Sequence, residues 1–96
     1  MAIYDDIKSS LRLSGTTFDD EAMMLASAAK RDLLLSGVPE SLWVGSEPTD
    51  DLVRLAVIVY AKAHFGIDNP ESERFLKIYY QIEKDLSLHG DDNAVV

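Results

Sequence analysis

The 96-residue chain is long enough for one modest domain, and 47% apolar content argues against disorder throughout. Its formal net charge of −8 opposes a nucleic-acid grip or a polybasic membrane contact, both of which need clustered Lys and Arg. It contains no cysteine, which excludes disulfides, zinc–thiolate sites and thiol nucleophiles.

The opening Met1-Ala2-Ile3-Tyr4-Asp5-Asp6 has no basic segment and no long apolar run. A signal peptide is therefore not expected, and a soluble protein made in a cytoplasm is. A first helix is predicted over residues 3–13, where Ile3, Ile7 and Leu11 recur on one face beside Tyr4. Asp5 and Asp6 fall in its first turn, where the helix dipole favours negative charge, and Ser14-Gly15 is the expected stop.

Thr17 can cap a second helix over residues 18–36. Asp19, Asp20 and Glu21 occupy its first turn, and Phe18, Ala22, Leu25, Ala29 and Leu33 form its stripe. Gly37 is its expected C′ residue, with Pro39 just beyond. Residues 38–48 show neither a helical nor a strand period and read as one long loop.

Thr49 can cap a third helix over residues 50–65. Of residues 52–65, 11 are apolar, so apolar side chains run almost all round it. At about 1.5 Å per residue this run spans only about 21 Å, short of a ~30 Å hydrocarbon core. Such a helix is buried on most sides, and a monomer this small is expected to need partner surface to cover it. Asn69-Pro70-Glu71 is a strong start signal for a fourth helix, expected to end at His89-Gly90. Its stripe is Phe75, Ile78, Tyr79, Ile82 and Leu86. The expected architecture is all-α, a small bundle of about four helices with one long loop between the second and third. The domain should cover residues 3–90, with a flexible tail at 91–96.

Four acidic clusters invite a metal or acid–base reading: Asp5-Asp6, Asp19-Asp20-Glu21, Asp50-Asp51 and Asp91-Asp92. Placement in the first turns of helices accounts for the first three, and no Asp-x-Asp-x-Asp-Gly loop is present. His64 and His89 lie in different elements without a helical His or Cys partner. There is no Gly-x-Ser-x-Gly turn and no Gly-rich phosphate loop. The chain reads as a non-enzyme with no cofactor. Trp43 either folds back into the domain's own core or anchors a subunit contact, a position in which Trp is enriched. Tyr80 must point away from the stripe that holds Tyr79, because neighbours on a helix sit about 100° apart, so it is a candidate for a second surface.

The order of these signals resembles the head–tail connector family of tailed bacteriophages, whose members are also described as DNA-packaging proteins. Three parts carry the resemblance. The first is the opening helix ending Leu11-Arg12-Leu13, then a polar turn and Phe18-Asp19-Asp20-Glu21. The second is the Ala/Leu-rich helix that starts there. The third is Leu52-Val53-Arg54-Leu55-Ala56-Val57-Ile58-Val59-Tyr60-Ala61-Lys62-Ala63-His64-Phe65-Gly66, then Asp68-Asn69-Pro70-Glu71 and the last amphipathic helix.

The resemblance implies a structural virion protein. Such subunits form a ring, typically dodecameric, beneath the portal protein, extend the DNA channel and join capsid to tail. Implied partners are further copies, portal, a tail-side completion or stopper protein, and passing DNA without specific binding. No membrane is implied. By position, family contacts fall at residues 38–48 and about 88–96. With the two aromatic candidates, this makes Leu42, Trp43, Val44, Tyr80, Val95 and Val96 the expected interface residues. The competing reading is an acidic helical adaptor or regulator that binds a basic protein partner.

Overall fold

The computed structural model describes residues 3–13, 15–66 and 69–95, with side chains described as far as residue 87. Four α-helices follow in order: α1 (Ile3–Ser10), α2 (Asp19–Leu35), α3 (Asp51–His64) and α4 (Ser72–Val95). The expected all-α bundle is what forms. The loop between α2 and α3 adds a 3₁₀ turn (Glu40–Leu42) and an antiparallel hairpin of β1 (Trp43–Val44) and β2 (Glu47–Pro48), in which Trp43 pairs with Pro48 and Val44 with Glu47. The two-residue connection has Gly45 at φ 61°, the left-handed first position of a II′ turn. Strands of two residues are too short to show a period, which is why residues 38–48 read as plain loop.

Helix ends differ in detail from the sequence expectation. α1 stops at Ser10, and Arg12 sits at φ 59°. The Leu13 N–H donates to Lys8 O (2.8 Å) and the Arg12 N–H to Ser9 O (3.1 Å), a Schellman pair with an arginine where glycine is usual. A left-handed L-residue costs about 1–2 kcal/mol, partly offset by glycine's greater freedom when unfolded. Arg12→Gly should therefore stabilise the fold by about 0.5–1 kcal/mol, read as a raised midpoint in urea. A lowered midpoint would show that the Arg12 side chain contributes more than its backbone costs.

α2 ends in the same motif with Gly37 (φ 102°) at C′, as expected, and Val38 buried after it. At its start Phe18, not Thr17, is the capping residue, and it offers no side-chain bond. For α3 the cap is Asp50 rather than Thr49. Its carboxylate accepts from Leu52 N (2.9 Å) and Val53 N (3.0 Å). α4 runs to Val95 and passes through His89-Gly90, where an end was expected. A lone interior glycine costs a helix only about 1 kcal/mol.

The junction between α3 and α4 is tied by side chains. Asn69 accepts from Glu71 N (3.0 Å) and donates to Lys62 O (2.6 Å), and the Ser72 hydroxyl donates to Ala63 O (2.8 Å). Two carbonyls that α3 leaves without helical partners are thus satisfied by the start of α4.

α3 lies at the centre and packs against α1, α2 and α4. Its Val53, Ala56, Val57, Val59, Ala61 and Ala63 are buried within the single chain. Most of the apolar surface expected to need a partner is therefore covered by the chain's own three other helices. Leu52 and Leu55 remain exposed, and Ile58 is partly so.

Candidate docking surfaces

Arg54 leaves α3 towards α1 and the hairpin. Its guanidinium pairs with Asp6, donates to Pro48 O (3.1 Å) and lies 3.7 Å from Glu47 Oε1. Glu47 Oε1 also accepts from Ile3 N (2.7 Å), so one carboxylate sits at the positive end of α1. Lys8 pairs with Asp19 and donates to Gly15 O, closing α1 onto α2. Asp6 at the start of α1 and Asp19 at the start of α2 are therefore used in ion pairs between elements, and Asp50 is used as a cap. Among the described residues, no group of three or more His, Asp and Glu side chains is placed to hold a metal ion. His64 is exposed and stacks on Tyr60 with centroids 4.3 Å apart. The side chains of His89, Asp91 and Asp92 lie outside the described set.

The expected interface residues do not gather in one place. Trp43 is 6% exposed and belongs to the chain's own core cluster, with Lys30 Nζ 5.7 Å from its ring centre. That is the position of a plug in the domain's own core. Its indole Nε1 is buried without a hydrogen-bond partner among the described residues. Leu42 packs partly against the core, while Val44 at the hairpin tip is 70% exposed. Tyr80 is 57% exposed on α4, with its ring centre 5.7 Å from that of buried Tyr79. Val95 ends α4, and Val96 lies outside the described residues.

Between α2 and α4 lies a small polar cluster. The Tyr79 hydroxyl donates to Asp32 Oδ2 (2.6 Å) and lies 3.2 Å from Glu83 Oε2. Ser87 donates to Ser36 O (2.8 Å) at the end of α2. Burial raises the Glu83 carboxyl above its ordinary value, and hydrogen bonding to Asp32 acts the same way. The folded chain therefore holds the Glu83 proton more tightly than the unfolded chain does. This contribution is fully present below the ordinary glutamate value of 4.5 and fades as pH rises through the raised one. Glu83→Gln, which keeps a donor for Asp32, should remove that fade. Because the carboxyl is only partly buried, solvent screening keeps the difference between variant and parent small. Urea unfolding at pH 4 and pH 7 measures it, and equal pH slopes would contradict it.

Two apolar patches stand out on the surface, and one of them includes Ile78, which was expected in the inward stripe of α4 but is 42% exposed. The first is the outward side of α2. Its inner stripe, Ala22, Ala29 and Leu33, is buried, so Met24 (70% exposed), Arg31 and Leu35 (77% exposed) face away from the core. The second joins α3 and α4. Lys62 Nζ lies 5.4 Å from the Phe75 ring centre, which sets those two helix sides next to each other. Leu55 and Ile58 precede Lys62 by seven and four residues, and Ile78 follows Phe75 by three. At helical spacing they share those sides, so Leu55, Ile58 and Ile78 form one seam. No helix among the described residues is long and apolar enough to cross a membrane.

The fold is thus a small helical scaffold in which Arg54–Asp6 and Lys8–Asp19 tie elements together and apolar side chains stay exposed on two sides. The family described as phage connector protein matches residues 3–93. The chain belongs to that family, and the role that follows is that of a structural connector. No curated protein and no solved structure matches it.

Proposed function

We propose that this protein is a structural virion subunit that forms a ring below the portal, extends the DNA channel and joins capsid to tail. The family match over residues 3–93 carries this reading. The geometry agrees with it in two ways. First, the domain keeps apolar surface on two separate sides even though α3 is largely covered from within. That suits a subunit flanked by neighbours. Second, the chain is acidic, with a formal charge of −8. A dozen copies would carry a charge on the order of −100 before counterions, which disfavours adhesion of a phosphate backbone to the ring.

Residues 38–48 and the C-terminal end, including Leu42, Val44, Val95 and Val96, are the proposed sites of contact with portal or with a tail-side completion protein. The subunit would be made in the host cytoplasm and join heads once DNA is inside.

The test is addition of purified protein to portal-bearing, DNA-filled heads that lack it. The expected result is stable incorporation at the portal vertex and gain of tail attachment. Protein that neither joins such heads nor occurs in virions would end the proposal.

A further inference from the structure

We infer that a second copy of this chain seats the outward face of its α2 on the α3–α4 seam of its neighbour. This inference rests on the connector reading and names the surfaces through which like subunits meet.

The two patches lie on opposite sides of the molecule. Around α3, α1 is fixed on the side of Arg54, through Asp6. α4 is fixed between the sides of Tyr60 and Lys62, through Tyr79 and Phe75. α2 touches both α1, through Lys8–Asp19, and α4, through Tyr79–Asp32. It must therefore lie between them, across α3 from the open side that carries Leu55 and Ile58. The exposed side of α2 then faces the other way. Two different patches on opposite sides favour a head-to-tail contact, in which each copy uses one patch per neighbour. Two-fold pairing would leave one patch of every copy bare.

Charge sets the register. α2 runs antiparallel to α3, since Phe18 at its start packs on Phe65 at the end of α3 (centroids 5.5 Å apart). It runs parallel to α4, since Ser36 at its end meets Ser87. At one end of the bundle, the α2 face carries Arg31 beside Leu35. At that same end, the seam carries Asp51 and Asp85, each on the side of Leu55 or Ile78 by helical spacing. At the other end, the α2 face carries Asp20 beside Met24, and the seam carries Lys62 beside Phe75. Two copies side by side with the same polarity therefore place Arg31 near Asp51 and Asp85, and Asp20 near Lys62. Opposite charges meet at both ends, and between them Met24 meets Leu55, Ile58 and Ile78. Arg31 makes no ion pair among the described residues within one chain, so it is available for this contact.

The absence of natural cysteine makes a direct test simple. Met24→Cys and Leu55→Cys change two exposed side chains that this register brings within about one helical turn of each other, and thermal unfolding of each should match the parent. Each full-length variant is treated with a short bismaleimide, alone and mixed, in concentrated solution and on portal-bearing heads. The mixture should give a cross-linked dimer, the double variant a ladder of multiples, and each single variant alone only monomer. Arg31→Glu should lower the cross-linked yield about tenfold, and Asp51→Lys with Asp85→Lys on the facing surface should recover it. Self-linking of either single variant would overturn the inference by showing two-fold pairing. So would a yield that Arg31→Glu leaves unchanged. Incorporation into heads without any Met24–Leu55 cross-link would overturn the face assignment while leaving the connector role intact. Failure to join heads would remove both.

Discussion

Trp43→Ala is expected to cost the isolated chain about 3–5 kcal/mol, the range for removing a large aromatic side chain from a core. A domain of this size has roughly 5–14 kcal/mol in all, so the unfolding midpoint should fall by roughly 15–30 °C. The indole belongs to the same core cluster as Ile3, Val53 and Leu33, and its β1 position also anchors the hairpin on α2 through Lys30. Loss of the ring removes core volume and releases the loop that Lys30 holds by donating to Gly45 O (2.5 Å). Trp43→Phe is the informative companion. It also shrinks the side chain, but it removes the buried, unpaired Nε1–H, whose desolvation costs about 1–3 kcal/mol. The two effects oppose each other, so Trp43→Phe should lie within about 1 kcal/mol of the parent. A monomer that tolerates Trp43→Ala while losing incorporation into heads would restore the subunit-anchor reading of this residue. Thermal scans of monomer, set beside head binding, decide between the two.

Arg54→Met should destabilise the chain by about 2 kcal/mol, mostly by leaving Asp6 and Pro48 O without a charged donor in a half-buried setting. The methionine keeps most of the apolar stem, so the loss reports on the guanidinium. Arg54→Lys should recover about half, because one ammonium cannot reach the Asp6 carboxylate and the Pro48 carbonyl as a planar fork does. The double cycle with Asp6→Asn should show about 1 kcal/mol of coupling. The loss should also be local. Amide exchange in α1 and the hairpin should accelerate more than in the α3–α4 pair, because Arg54 joins those elements to α3. Uniform acceleration, or no change in stability, would mean that Arg54 is not what holds α1 and the hairpin to α3.

The four helices were legible because each has an apolar stripe at helical spacing and a polar or glycine-containing break after it. Ala22–Ala29–Leu33 and Tyr79–Ile82–Leu86 are buried as their spacing requires. The caps were less legible. Thr49 and Asp50 are both good caps by type, and only the backbone conformation at Asp50 selects it. Arg12 in a left-handed conformation carries no sequence signal at all. The hairpin had one available signal, Gly45-Ser46 between Trp43-Val44 and Glu47, which fits a two-residue turn.

The candidate surfaces were legible only in part. Tyr80 is exposed as the spacing from Tyr79 demands, and Val44 is exposed at the hairpin tip. Trp43 allowed two readings from sequence, and its burial within one chain favours the plug. The greater part of α3 also proved to be covered from within, which moves the available apolar surface to Leu55, Ile58 and Ile78 on one side and Met24 and Leu35 on the other.

The sequence by itself determined the helices, their approximate limits and the family, because these depend on residue spacing along one chain. Tertiary structure alone decided which apolar residues stay uncovered, which acids pair across elements, and that Arg54 joins three of them. Those outcomes depend on how far one helix rotates against another, and no local periodicity encodes the rotation.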